Sequence, residues 1–296
     1  MTRFVRYWFY PLLLVATLTL AFLTMRAGSD LQRVFGWFSL ARLVLLLVVE
    51  WRLPLRKDWA MTWRSFLRDL KYGVVLGGGG FLVRYATGWL AIGVADNSSG
   101  ALSQWPLPAQ LLVLALTYEF VQYWQHRISH EARGPLGRFL WRAHVQHHLP
   151  RRVYLLMHVV SHPINFAIVM AVSTGVIFGL GVGKDAVFLF NVIMGLQGLV
   201  SHFNVDIKAG PLNYLLVGTE LHRNHHSADL GEAGNYGVLT PFWDIVFGTF
   251  RYTPDRAPRA LGVSEPAQYP PSNRLLQAML LPFRPTARYA HAEEEP

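Results

Sequence analysis

Residues 7–25 read YWFYPLLLVATLTLAFLTM, an uncharged apolar run close to the ~20 residues a helix needs to cross a bilayer. Arg3 and Arg6 precede it, and no small-residue cleavage site follows in AFLTMRAGSD, so the run is expected to be a retained first span and not a removed signal. Further apolar runs extend the pattern: Val34 to Val49, Tyr72 to Val94, Pro106 to Trp124, Pro163 to Val182 and Ala186 to Val200. The Tyr72 run is interrupted by Gly77 to Gly80 and by Arg84, and an arginine inside a span is costly unless it faces protein or snorkels. The glycines lack a G-x-G-x-x-G pattern and are better explained by close helix packing than by dinucleotide binding.

Composition agrees with a membrane class: 52% of the 296 residues are apolar and only 15% charged. The excess of 27 Lys and Arg over 18 Asp and Glu gives a formal +9, which suits nucleic acid or an anionic lipid surface. Hydropathy favours lipid, and no nucleic-acid partner is expected. The absence of cysteine excludes disulfides, Cys-ligated zinc or iron–sulfur clusters, thiolate-ligated haem and a cysteine nucleophile.

Charge placement orients the spans, because Lys and Arg concentrate in short cytoplasmic loops. Residues 51–71 hold Arg52, Arg56, Lys57, Arg64, Arg68 and Lys71, and residues 125–162 hold Arg127, Arg133, Arg138, Arg142, Arg151 and Arg152; residues 95–105 hold none. This predicts six crossings with both termini inside, in the inner membrane if the chain is bacterial. The expected fold is all-α, a polytopic membrane helix bundle with a cytoplasmic histidine-rich helical cap. The Pro-rich stretch beyond Arg251 is expected to wrap the surface as loop. Arg274 to Phe283 is expected as a short helix, either at the membrane surface or packed on the domain.

Of twelve histidines, eleven lie between His126 and His226. His126-Arg-Ile-Ser-His130 puts two imidazoles on one helical face, on a stripe with Glu119 and Tyr123. His144-Val-Gln-His147-His148 and His222-Arg-Asn-His225-His226 share the H-x-x-H-H spacing, which presents three nitrogens from a common helical face. His158, His162 and His202 form a looser group. A lone buried histidine is more often hydrogen-bonded than ligating, the reading taken for His158, and His291 in the polar tail falls outside the pattern. Clusters of two, three and three imidazoles point to metal, since imidazole near lipid gains little unless paired or metallated. Eight or more exceed what one transition ion uses, so the count predicts two ions of the imidazole-preferring type, Zn, Cu, Fe or Ni. A thermolysin-type H-E-x-x-H is absent, because Ala132, Arg133 and Gly134 follow His130-Glu131.

The order HRISH, HVQHH, HRNHH between paired membrane helices resembles the fatty acid hydroxylase and sterol desaturase superfamily of membrane di-iron oxygenases. Tyr123-Trp124, Ser161-His162-Pro163, Ser201-His202-Phe203-Asn204, Asn235-Tyr236-Gly237, Trp243-Asp244 and Phe247-Gly248-Thr249 add to the resemblance, which spans about Gln110 to Phe250. Ile164-Asn165 departs from it, because family members commonly carry a hydrophobic residue and Glu after the His-Pro. The resemblance implies iron ligation by His126, His130, His144, His147, His148, His222, His225 and His226, with His202 a ninth and His162 either a ligand or an orienting neighbour. Glu119 and Asp244 become candidate catalytic-site carboxylates accepting from the free N–H of ligating imidazoles. It further implies two Fe2+ ions, O2 as co-substrate, a lipid substrate and an external electron donor such as a ferredoxin, cytochrome or reductase. The organisation expected is 1–105 as N-terminal membrane helices, 106–255 as the di-iron hydroxylase domain and 256–296 as a C-terminal surface tail. The activity expected is hydroxylation of a lipid. Desaturation on the same site, a non-redox zinc enzyme and a metal transporter are the alternatives; a transporter would need its ligands deep within spans, and these histidines cluster at span ends.

Overall fold

The computed structural model describes residues 3–78, 100–284, 288 and 289. Its elements are α1 (Arg3–Arg26), α2 (Leu31–Arg52), α3 (residues 63–78), α4 (Leu107–Glu131), α5 (Gly134–His144), α6 (Pro163–Leu180), α7 (Lys184–Ser201), α8 (Thr219–His225), α9 (Phe242–Val246) and α10 (Leu275–Leu280). Among the described residues there is no strand, only an isolated antiparallel bridge between Ser227 and Leu261.

Four of the described helices are long and apolar enough to cross a membrane: Arg3–Arg26, Arg33–Arg52, Pro163–Leu180 and Lys184–Ser201. Of the two other expected spans, one is a helix of lower hydropathy and one runs out of the described residues. α4 covers the expected Pro106 run but buries Gln110, Glu119, Gln122 and His126, and it is less apolar than α1, α2, α6 and α7. The Tyr72 run begins inside α3, and its continuation with Gly79, Gly80 and Arg84 lies outside the described residues, as does His291.

α7 is the centre of the bundle, packed on α1, α2 and α4, while α4 also packs on α5 and α6. Phe188, Leu189 and Val192 of α7 meet Ala21, and Phe190 meets Leu114 and Tyr118 of α4. α1 and α2 instead turn Leu12, Val15, Leu20, Val44 and Val48 outward, and α6 buries no residue at all, as lipid-facing helices do. α6 opens on Pro163 after the cap residue His162 and closes on Gly181 at φ 58°, where a Cβ would lie 2.6 Å from the Gly100 Cα.

Polar ties then fasten one end of the bundle. Tyr10 donates to Gln197 Oε1 at 2.8 Å, whose Nε2 donates to the Val217 carbonyl at 2.9 Å. Glu50 at the end of α2 accepts from the Leu155 and Asn204 backbone N–H groups at 2.9 and 2.7 Å. Arg6 pairs with Asp206 at 3.1 Å. These contacts hold the 145–162 and 202–218 connections where α2, α4 and α7 end and α6 begins. Arg274 to Phe283 packs on the protein: Ala278 joins a buried cluster with Tyr72 and Met157, and its carbonyl accepts from Gln146 Nε2.

Candidate metal centre

At that end of the bundle nine imidazoles converge into two groups. His126, His130, His144, His148 and His225 form one, and His147, His202, His222 and His226 the other; within each, the candidate ligand atoms all lie within 4.8 Å of one another. The two H-x-x-H-H segments do not act as single faces. In each, the i and i+4 histidines join one group and the i+3 histidine crosses to the other: His144 and His148 part from His147, and His222 and His226 part from His225. On a helix i+3 and i+4 point about 100° apart, so one segment can serve two centres.

The hydrogen bonds fix which nitrogen carries each proton. His126 Nδ1 lies 2.7 Å from the Tyr236 carbonyl, His225 Nδ1 2.7 Å from that of Gly234, and His147 Nδ1 3.0 Å from that of Val160. His144 Nδ1 lies 3.2 Å from Asn165 Oδ1, whose Nδ2 donates to Ser161. An oxygen of this kind can only accept, so each Nδ1 donates and each Nε2 presents a lone pair. Those lone pairs face one another: His126 and His144 Nε2 are 3.0 Å apart, and His147 and His202 Nε2 are 3.0 Å apart. His202, His222 and His226 close a triangle of 3.0 to 3.1 Å edges. Buried ring nitrogens of His130 and His225 (Nε2) and of His222 and His226 (Nδ1) have no hydrogen-bond partner among the described residues. Burial first, and the neighbouring rings second, hold the imidazoles of His148, His222 and His226 well below the ordinary histidine range. Neutral rings with converging lone pairs are the donor set of a transition-metal ion, and the two groups fit two of them.

Among the described residues the hydrogen bonds of Glu119 and Asp244 go to backbone N–H groups and the Thr249 hydroxyl and not to an imidazole. Both side chains are fully buried and hold the backbone of the 236–239 loop. Glu119 accepts from Val238 and Leu239 N–H at 2.5 and 3.0 Å; Asp244 accepts from Tyr236 and Gly237 N–H at 2.7 and 2.8 Å and from the Thr249 hydroxyl at 2.6 Å. Desolvation raises the Asp244 pKa, and these hydrogen bonds oppose it. Tyr123 extends the chain to Thr249 at 3.0 Å. A Cβ on Gly237 would come within 2.9 Å of both carboxylates, so only glycine fits between them. The carboxylates therefore act through the loop whose Tyr236 carbonyl orients His126. Trp243 packs below, donating to the Leu116 carbonyl at 3.0 Å.

His162 joins neither group. Its Nδ1 accepts from Ile164 N–H at 3.0 Å, capping α6, and its Nε2 faces the Met279 carbonyl at 3.0 Å, so both nitrogens are occupied. His162→Ala is expected to lower stability by about 0.5–2 kcal/mol while metal content is retained; thermal melts and metal analysis of the purified variant check this. Asn165, the departure from the resemblance noted in the sequence, supplies the acceptor for His144 Nδ1. Asn165→Ala is expected to weaken metal retention or activity about 10–100-fold, with Asn165→Asp restoring most of it, read by metal analysis and turnover. His158 also stands outside both groups, its ring centroid 5.2 Å from that of His202. A cavity of about 150 Å³ reaches His130, His148 and His225 from the side of Ser227, Gln268 and Tyr269.

Comparison with known proteins places the geometry. The fatty acid hydroxylase family matches residues 111–249. The chain is similar to the ornithine lipid hydroxylase OlsE of Rhizobium tropici, 28% identical over 86% of this chain and 78% of that one. It is also similar to methylsterol monooxygenase 2-2 of Arabidopsis thaliana, 27% identical over 52% of this chain and 59% of the relative. A very-long-chain aldehyde decarbonylase, GL1-11 of Oryza sativa subsp. indica, is 26% identical over 51% of this chain and 58% of the relative. No solved structure matches. The segment at residues 111–249, which carries all nine converging histidines, thus matches a fatty acid hydroxylase domain, and with the similarity to OlsE this supports the fatty acid hydroxylase and sterol desaturase superfamily.

Proposed function

We propose that the protein is a membrane-bound hydroxylase that uses two iron ions and O2 to insert oxygen into a C–H bond of a membrane lipid. The observation that carries this reading is the pair of imidazole groups whose lone pairs converge at one end of an apolar helix bundle. Iron bound there supplies the oxidising power for an unactivated C–H bond, which no side chain possesses. The lipid-modifying relatives support a lipid substrate, with a glycerolipid or aminolipid as the first choice.

The chain's own residues have three tasks. The Tyr236, Gly234 and Val160 carbonyls and Asn165 fix ring orientation by accepting from Nδ1, so that Nε2 points inward. Glu119 and Asp244 immobilise the loop that carries one of those carbonyls. Buried walls around His148, His202 and His226 keep bulk water from the reacting carbon. Inserting one oxygen atom of O2 and reducing the other to water consumes two electrons and two protons from outside. With no cysteine for an iron–sulfur cluster, a separate donor protein supplies the electrons, docking on the arginine-bearing side that we assign to the cytoplasm.

The test is metal analysis of purified protein together with lipid mass spectrometry of cells with and without the chain. About two iron ions per chain and a lipid gaining one oxygen are expected. Loss of two hydrogens would move the assignment to desaturation, and zinc with activity retained under anoxia would sink it. Chelation is expected to lower the melting temperature by several degrees, because ions that bind only the folded state stabilise it.

A further inference from the structure

A cleft of about 450 Å³ lies between α2 and α7. Leu40 and Leu43 of α2 face Met194 and Leu199 of α7 across it, and Leu40 is half exposed, so the cleft is open on the side of the bundle. Both helices are apolar enough to span a membrane, so this side faces hydrocarbon. Its volume falls in the range of small-molecule pockets.

Two glycines make the space. Gly195 and Gly198 lie one turn apart on α7; a Cβ on the first would sit 3.3 Å from Arg42 Nη2, and on the second 3.3 Å from His158 Cε1. Arg42 closes the deep end, its guanidinium spent on the Val192 carbonyl at 2.6 Å. His158 lines the other end, exposed and without a hydrogen bond among the described residues, against the ring of His202. The His158 ring thus stands between the cleft and His202 of the second imidazole group. Gly195 lies seven residues before His202, so the cleft descends roughly 10 Å from that group into the membrane-spanning region.

We infer that this cleft seats one acyl chain of a membrane lipid, admitted sideways from the bilayer, and presents the carbons nearest the lipid's polar end to the group of His147, His202, His222 and His226. A lipid in the adjoining leaflet keeps its head at the surface, where the imidazoles are, and its chain points inward, along the cleft. The methyl end therefore points toward Arg42, away from the reacting position. The inference rests on the hydroxylase reading for the chemistry, and on the cleft alone for the binding.

The experiment uses the full chain, iron-loaded, in vesicles of phosphatidylethanolamine and phosphatidylglycerol doped with a phosphatidylethanolamine bearing a mid-chain diazirine. Illumination is expected to label residues 39–43 and 194–199. Gly195→Phe from one wall and Leu40→Trp from the other are each expected to cut that label at least tenfold while iron content stays at the wild-type level. Labelling that maps elsewhere, or survives in both variants, overturns the inference. Wild-type turnover in both variants overturns it too, yet leaves the hydroxylase reading standing. Lost label in a chain that oxidises no lipid leaves the cleft standing and removes the hydroxylase. Tandem mass spectrometry should find the new oxygen on the head group or first chain carbons, and oxygen at the methyl end counts against the orientation.

Discussion

His225→Ala is expected to abolish lipid turnover, by more than the ~10–100-fold that follows loss of an outer partner, and to release iron from the purified chain. The ring belongs to the group of His126, His130, His144 and His148, and its Nε2 has no hydrogen-bond partner among the described residues. Its Nδ1 is already committed to the Gly234 carbonyl at 2.7 Å. His147→Ala removes a ring from the other group and is expected to have the same result. Membrane insertion should persist in both, because neither residue lies in an apolar span. Membrane fractionation, iron content and product analysis check the three parts. Full activity in either variant would remove that residue from the site.

A loss of fold is expected from Glu119→Ala. Glu119 is fully buried, and its two oxygens accept from the backbone N–H groups of Val238 and Leu239. Truncation leaves two buried donors unmade, each costing about 1–3 kcal/mol, in addition to the space vacated. The two donors alone sum to roughly 2–6 kcal/mol, which with the vacated space is comparable with the whole stability of an ordinary domain. Glu119→Gln is the informative variant. One amide oxygen can still accept, but the NH2 then confronts the other backbone N–H, so the loss is expected to be intermediate. Proteolysis rates and thermal melts in detergent should rank wild type above Gln and Gln above Ala. If Ala melts like wild type, the 236–239 loop does not depend on this carboxylate.

The helical membrane character and the convergence of the histidines were readable in the sequence, because an apolar run and a repeated imidazole spacing are local signals. What escaped was set by partners distant in the chain. Glu119 meets a loop about 120 residues away, and a backbone N–H has no sequence signature. The acceptors on Nδ1 are mostly carbonyls, present at every residue and therefore silent. His162 could have been anticipated: a residue before Pro163 at a helix start is a cap position, and a cap uses the nitrogen that a metal would need. The H-x-x-H-H segments misled because spacing was taken to define one face. The i+3 ring diverges enough to serve a second ion once another segment brings the rest of its shell.

That sharing has a consequence for assembly. The stretch from His144 to His148 and the stretch from His222 to His226 each grip both centres. Emptying one centre loosens the same turns of chain that hold the other, so the two ions should be taken up and given up together. Half-filled chains are then the scarce species in an iron titration, and occupancy should rise as a sigmoid.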